Sequence, residues 1–290
     1  MVDLPTSCFV FPYIFIAAFI IIHIVIFFLI TKFIGNVQKL TFLWGMINWT
    51  VAIGVLFFVP IIFIPIDKNT KESGLKILRA IIGGIIPPIT EDVGRLIVFT
   101  FIYISKNHNF NNSLIFGAGH GGWESIVLMA ITQISNLINF YKIKNTETEE
   151  DLNDLLEIYK KYKDGMVFED YFGFIIRFVG NIYHMAASVI IYKLSLNRKD
   201  RKYIIYFIIM FICHFIIDTT GTLQNLFDLS IWYNLIFPIL VIIIAIASYF
   251  VWEENKNKDF SNNELENKNK DSGNCELDNK EKLINSNIKE

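Results

Sequence analysis

Apolar residues run along this chain in blocks long enough to cross a bilayer, and the polar positions that interrupt them recur at helical spacing. About 20 apolar residues in an α-helix span the ~30 Å hydrocarbon layer. By that ruler the chain has seven predicted transmembrane helices, over residues 9–30, 42–65, 76–105, 113–139, 168–192, 203–221 and 231–252. The third run is long for one straight span. It contains IIGGIIPPITEDVGR, and Gly83, Gly84, Pro87 and Pro88 predict a kink or a break there. Two separate pieces would raise the count to eight. The expected fold class is all-α: a polytopic transmembrane helical bundle, residues 1–252, with a polar intramembrane site.

Outside these runs the pattern changes. Between the fourth and fifth, Thr146 and Glu149 have capping-box spacing, and Leu152, Leu155, Leu156 and Tyr159 share one helical face. This predicts a short amphipathic helix outside the bilayer, either on its surface or as a plain solvated connector. Residues 253–290 are rich in Asn, Lys and Glu with little apolar content, and are expected to form a disordered charged tail.

Composition agrees with the pattern. The 290 residues are 53% hydrophobic with a mean hydropathy of +0.44, outside the range of ordinary soluble domains. The net charge of −2 is uneven: residues 253–290 hold seven Lys against ten Asp and Glu. No basic excess points to nucleic acid. The expected partners are the lipid bilayer and a peptide or membrane-protein substrate. The first apolar run is too long for a signal-peptide core and has no basic residue before it, so it reads as a permanent span. The loop YKLSLNRKDRK carries five Lys or Arg and residues 222–230 carry none. The positive-inside rule then places the N-terminus outside and the C-terminus in the cytoplasm of a multi-pass cell-membrane protein. Cys8, Cys213 and Cys275 form no CxxC and read as free thiols.

An ionisable group at the bilayer centre costs about 2.5–3.5 kcal/mol on insertion scales, so each one calls for a reason. Here they come in i, i+4 pairs that share a helix face: Glu91 with Arg95 (Asp92 beside them), His120 with Glu124, and His214 with Asp218. Arg177 and His184 lie seven apart on one face, with Ser188 a further turn on. Turned inward, these stripes gather carboxylates and imidazoles from separate helices. Such a set can supply a general base and an oxyanion stabiliser, or hold a metal. Each pair is also accounted for as a buried ion pair or hydrogen bond that fixes helix packing. His23 has no i+4 partner and reads as a packing residue; His108 lies in a polar turn. The glycines of FGAGHGGWE suit close helix approach, and Trp123 suits packing or the interface.

Taken in order, TEDVGR, FGAGH (Phe116 to His120) and HFIID (His214 to Asp218) resemble the three blocks of the CAAX-prenyl protease and bacteriocin-processing superfamily, EExxxR, FxxxH and HxxxN or HxxxD. EDVGR and GHGGWE are closer still to the YhfC-type branch of membrane peptidases, and an added intramembrane histidine such as His184 fits that branch. The likeness covers residues 1–250. One departure is Thr90, where the first block would carry its first Glu; Glu91 keeps the i+4 relation to Arg95 and is favoured over Asp92 as the catalytic acid. The resemblance implies an intramembrane endopeptidase. Glu91 and His120 would activate water, His214 and Asp218 would stabilise the oxyanion, and Arg95 would anchor the acidic block. Asp92, Glu124 and His184 would support them. It permits a metal-free glutamate mechanism or a zinc site, for which Glu91, His120, His184 and His214 are the candidates. Two other functions stay open: a non-catalytic scaffold resembling the seven-span scaffold subunit of gamma-secretase, and a transporter or channel. No internal repeat favours the last. A scaffold has little need for imidazoles and a carboxylate at one point, so convergence of Glu91, His120 and His214 separates it from the protease.

Overall fold

The apolar runs fold as helices, and no strand occurs among the described residues. The computed structural model describes residues 3–34, 38–56, 58, 71–103, 111–146, 155–227 and 235–254. Two compact units divide the chain, residues 1–248 and 249–290, and of the second only residues 249–254 are described. The disorder expected of the tail therefore falls on residues outside the described set.

Helix α1 is Thr6–Phe33 and α2 is Leu40–Leu56. The third run is a continuous rod of four pieces: α3 (Ser73–Pro87), a π-helical turn (Pro88–Asp92), α4 (Val93–Ile97) and a second π-helical stretch (Val98–Tyr103). There follow α5 (Asn111–Lys144), α6 (Leu156–Tyr162), α7 (Phe168–Leu196), α8 (Arg201–Phe227) and α9 (Ile236–Glu254). Five of these, α1, α5, α7, α8 and α9, are each long and apolar enough to cross a membrane. The chain is an integral membrane protein with a helical bundle. Helix α2 has 17 residues, and the end of the expected second span lies outside the described residues.

The expected break in the third run takes the form of π-helix. Pro87 and Pro88 lack the N–H groups of a regular ladder, and a wider turn absorbs the crowding their rings cause. In a regular α-helix neighbouring residues point about 100° apart. The π turn holds both Glu91 and Asp92 on the buried side, at 6% and 0% exposure.

Helix α5 is the hub, packed along α1, α2 and α7, while α8 packs along α3. Glycine sets the closeness of these contacts. A Cβ added to Gly45 of α2 would fall on the backbone of Phe116 and His120, and one added to Gly119 of α5 would fall on Phe42. Between α3 and α8, a Cβ on Gly84 would meet the Thr219 backbone. In lipid, helices gain little from hydrophobic association and rely on such close contact.

A second kind of packing joins α1 to α7. Phe15 and Phe19 meet Phe174 at ring distances of 5.6 and 4.6 Å, and Phe15 meets Tyr171 edge-on at 5.6 Å. His23 continues this seam: its Nδ1 lies 2.6 Å from the Phe19 carbonyl and its ring stacks on Phe19, while its buried Nε2 has no hydrogen-bond partner among the described residues.

Outside the long helices, α6 turns Leu155, Ile158, Tyr159 and Tyr162 onto Leu4, Cys8, Phe140 and Ile143. Its apolar face is thus covered by the ends of α1 and α5. The Tyr162 hydroxyl donates to Asp170 at 3.0 Å, tying it to α7. The Thr146 hydroxyl donates to the Lys142 carbonyl at 2.8 Å at the end of α5, and Glu149, the other half of the expected capping box, lies outside the described residues. Cys8 and Cys213 are buried free thiols, and Cys275 is not among the described residues.

Candidate functional site

The polar stripes of the π turn, α4, α5, α7 and α8 meet in one place. Glu91 Oε2 lies 2.9 Å from His120 Nε2, 3.4 Å from Arg95 Nη2, and 3.9 Å from both His184 Nδ1 and His214 Nε2. Glu91, His120 and His214 therefore sit in mutual reach across three segments.

Arg95 is wholly buried and links the acidic block to α7. It pairs with Asp92, and its Nη2 donates to His184 Nδ1 at 2.6 Å. The expected anchoring of the acidic block by Arg95 thus extends to a histidine on another helix. Asp92 also accepts from His214 Nδ1 at 3.0 Å, so it fixes two partners, while Glu91 is the acid on which imidazole nitrogens converge. His214 Nε2 lies 3.4 Å from Asp218 Oδ2, the i, i+4 contact the sequence predicts.

Glu124 bridges a further pair. Its Oε2 is 2.7 Å from His184 Nε2, and its Oε1 is 3.5 Å from Arg177 Nη1. The i, i+4 spacing of His120 and Glu124 therefore serves two different partners on other segments, Glu91 and His184, rather than a bond between the two. Phe116 packs its ring 4.7 Å from Phe99. Thr90 donates its hydroxyl to the carbonyls of Ile86 and Pro87 at 3.0 and 3.2 Å, away from the acids. Ser188 is buried with no hydrogen-bond partner among the described residues.

A cleft of about 380 Å³ opens onto this cluster. Glu91, Glu124, His184, His214 and Asp218 line its polar part. Its other walls are mainly apolar, with Trp49, Ile53, Leu128, Ile217 and Phe237 among them. Half-exposed Arg177 also faces this space.

One residue in the cluster carries no signal in the sequence. Asn48 of α2 is buried, and its Nδ2 lies 3.2 Å from both the Glu91 carbonyl and His120 Nδ1. A lone Asn in an apolar run has no i+4 ionisable partner to mark it. Its distance in sequence from the other residues hides the contact.

Against families of known proteins, residues 15–243 match the model of the YhfC intramembrane metalloprotease family. The chain belongs to that family. Among curated relatives it is 32% identical over 95 residues to a Bacillus subtilis (strain 168) protein described as the uncharacterized membrane protein YhfC. That match covers 32% of this chain and 36% of the relative, so about a third of each is compared. No solved structure matches the chain.

The family's name implies a metal, and the donor set fits one. One ligand atom from each of Glu91, His120, Glu124 and His184 lies within 4.8 Å of the others. Two carboxylates and two imidazoles are the nitrogen and oxygen ligands that zinc accepts. Glu124 replaces His214 in this tightest group, compared with the set expected from the sequence.

Proposed function

We propose that this protein is an intramembrane endopeptidase that hydrolyses peptide bonds of membrane-associated substrates, with water activated at Glu91 and His120. The observation that carries this reading is the convergence of three histidines on one buried carboxylate oxygen at the end of a cleft open to substrate. A scaffold has little need for imidazoles and a carboxylate at one point, and would bear their insertion cost of about 2.5–3.5 kcal/mol for each ionised group.

In this reading Glu91 takes a proton from water and His120, bonded to it, holds the carboxylate toward the attacking oxygen. His214 is oriented by Asp92, so its Nε2 faces the cleft beside Asp218. As an imidazolium, His214 would give Nδ1–H to Asp92 and Nε2–H to the oxyanion, with Asp218 beside Nε2 to hold the ring. Arg95 keeps Asp92 and Glu91 in register with His184. Glu91, Glu124 and His184 would hold a metal such as zinc, with His120 bonded to Glu91 beside it. Bound there, a zinc ion would polarise the scissile carbonyl and make water more acidic.

The test is reconstitution of the full chain in liposomes with membrane-anchored peptides, comparing wild type with Glu91→Ala and His120→Ala. Loss of cleavage in both variants is expected; cleavage that persists in both removes the assignment. Metal content of the purified protein, measured alongside Glu124→Ala and His184→Ala, is expected to fall in both variants.

A further inference from the structure

Helix α2 carries no ionisable residue into the site, yet it supplies Asn48, whose amide touches both halves of the Glu91–His120 pair. Its orientation is set by chemistry. The Glu91 backbone carbonyl can only accept, so the amide end 3.2 Å from it must be the NH₂ group. The opposite end, Oδ1, is turned toward Gly94, where an added Cβ would meet it at 2.5 Å. Flipping the amide would set two acceptor oxygens against each other.

The same NH₂ group lies 3.2 Å from His120 Nδ1, so that nitrogen faces a donor and must accept. A neutral imidazole whose Nδ1 accepts carries its proton on Nε2. His120 Nε2 is 2.9 Å from Glu91 Oε2, so that proton points at the carboxylate. Gly45, one turn before Asn48, and Gly119, beside His120, bring α2 and α5 close enough for one amide to span both partners.

We infer that Asn48 is a positioning residue of the site: it fixes the Nε2–H tautomer of His120 and aims that ring at Glu91. The role given to His120 rests on the hydrolase reading above; the tautomer does not. Ligation of a metal by His120 through Nε2 requires the other tautomer, so the amide assigns His120 to hydrogen bonding with Glu91 whenever Asn48 stands as it does here.

The experiment is ¹⁵N NMR on the full-length, histidine-labelled protein in nanodiscs, with the His120 signals assigned by loss in His120→Gln. A one-bond N–H coupling at Nε2 and none at Nδ1 is expected in wild type. Asn48→Asp, which offers an acceptor in place of the donor, is expected to move the proton to Nδ1. Asn48→Ala, should the Asp variant fail to fold, is expected to give a mixture of tautomers. A wild-type proton on Nδ1, or on both nitrogens, overturns the inference, as does a variant that folds with the tautomer unchanged. Where cleavage is measurable, Asn48→Asp is expected to lower kcat by about 10²-fold or more with KM little changed, as when a histidine is held in the wrong tautomer. A protein that cleaves nothing would sink the hydrolase reading alone and leave the NMR result to decide the role of Asn48.

Discussion

Two regions of the bundle hold helices together by opposite means. At the α1–α7 seam, Phe15, Phe19, Phe174 and Tyr171 interlock as rings, with no charge among them. At the centre, Glu91, Asp92, Arg95, His120, His184 and His214 form a continuous set of hydrogen bonds and ion pairs across five segments. The seam has many interchangeable contacts, each worth little. The centre has few contacts, each with one correct partner, and a group left alone there is expensive. A bundle needs only the first kind to pack, so the second kind calls for a chemical reason.

The contrast breaks most sharply at Glu91. Glu91→Gln keeps the shape of the side chain and removes the base. Cleavage is expected to fall by about 10²–10⁴-fold, the usual contribution of a positioned general base. Turnover of a membrane-anchored peptide in liposomes measures it, with thermal unfolding as the control for fold.

Arg95→Leu tests the other property of the centre, dependence on complete pairing. It removes the buried cation that serves Glu91, Asp92 and His184. Taking one partner from a buried pair typically costs about 3–5 kcal/mol. The variant is expected to unfold at clearly lower denaturant concentration than wild type in mixed micelles. Equal midpoints would mean the network adds nothing to stability.

Phe19→Ala probes the seam. The residue is wholly buried. In a water-soluble core its loss would cost about 3–5 kcal/mol. Here the reference state is lipid, as apolar as the seam itself, so the expected loss is below that range. The activity of the folded fraction is expected to be unchanged, because no ring of the seam belongs to the cluster. A kcat that falls with Phe19→Ala would show that the two regions are coupled.

The sequence reveals the two regions unequally. Hydropathy marks the long helices, and i, i+4 spacing marks Glu91, Arg95, His120, Glu124, His214 and Asp218, because helical periodicity is local. The cross-helix partners are not local. The bond of His214 to Asp92, the contact of His184 with Arg95 and the whole role of Asn48 come from how helices meet. Two prolines show that the third run must deviate from a regular helix, but the π turn is one of several ways to absorb them. In the connector before α7, the Thr146 hydroxyl bonds back to the Lys142 carbonyl four residues earlier, a local contact that a spacing pattern alone does not reveal.

Glycines give the finest form of the same comparison, since one residue type serves both packing and site. A Cβ at Gly84 would lie 2.8 Å from the Thr219 backbone nitrogen and 2.9 Å from its Cα, and backbone cannot step aside as a side chain can. At Gly221 of α8, which lines the cleft, a Cβ would meet nothing within 4 Å. Gly84→Ala is expected to part α3 from α8 at an overpacking cost of about 1–3 kcal/mol. Gly221→Ala is expected to shift stability by no more than about 1 kcal/mol, on the stabilising side, because alanine is the better helix former. Unfolding midpoints of the two single variants measure both. The ordering follows from what each methyl would touch. Were Gly221→Ala the more damaging change, the cleft would have to be filled by protein in the folded state, and its place as the route to Glu91 would be lost.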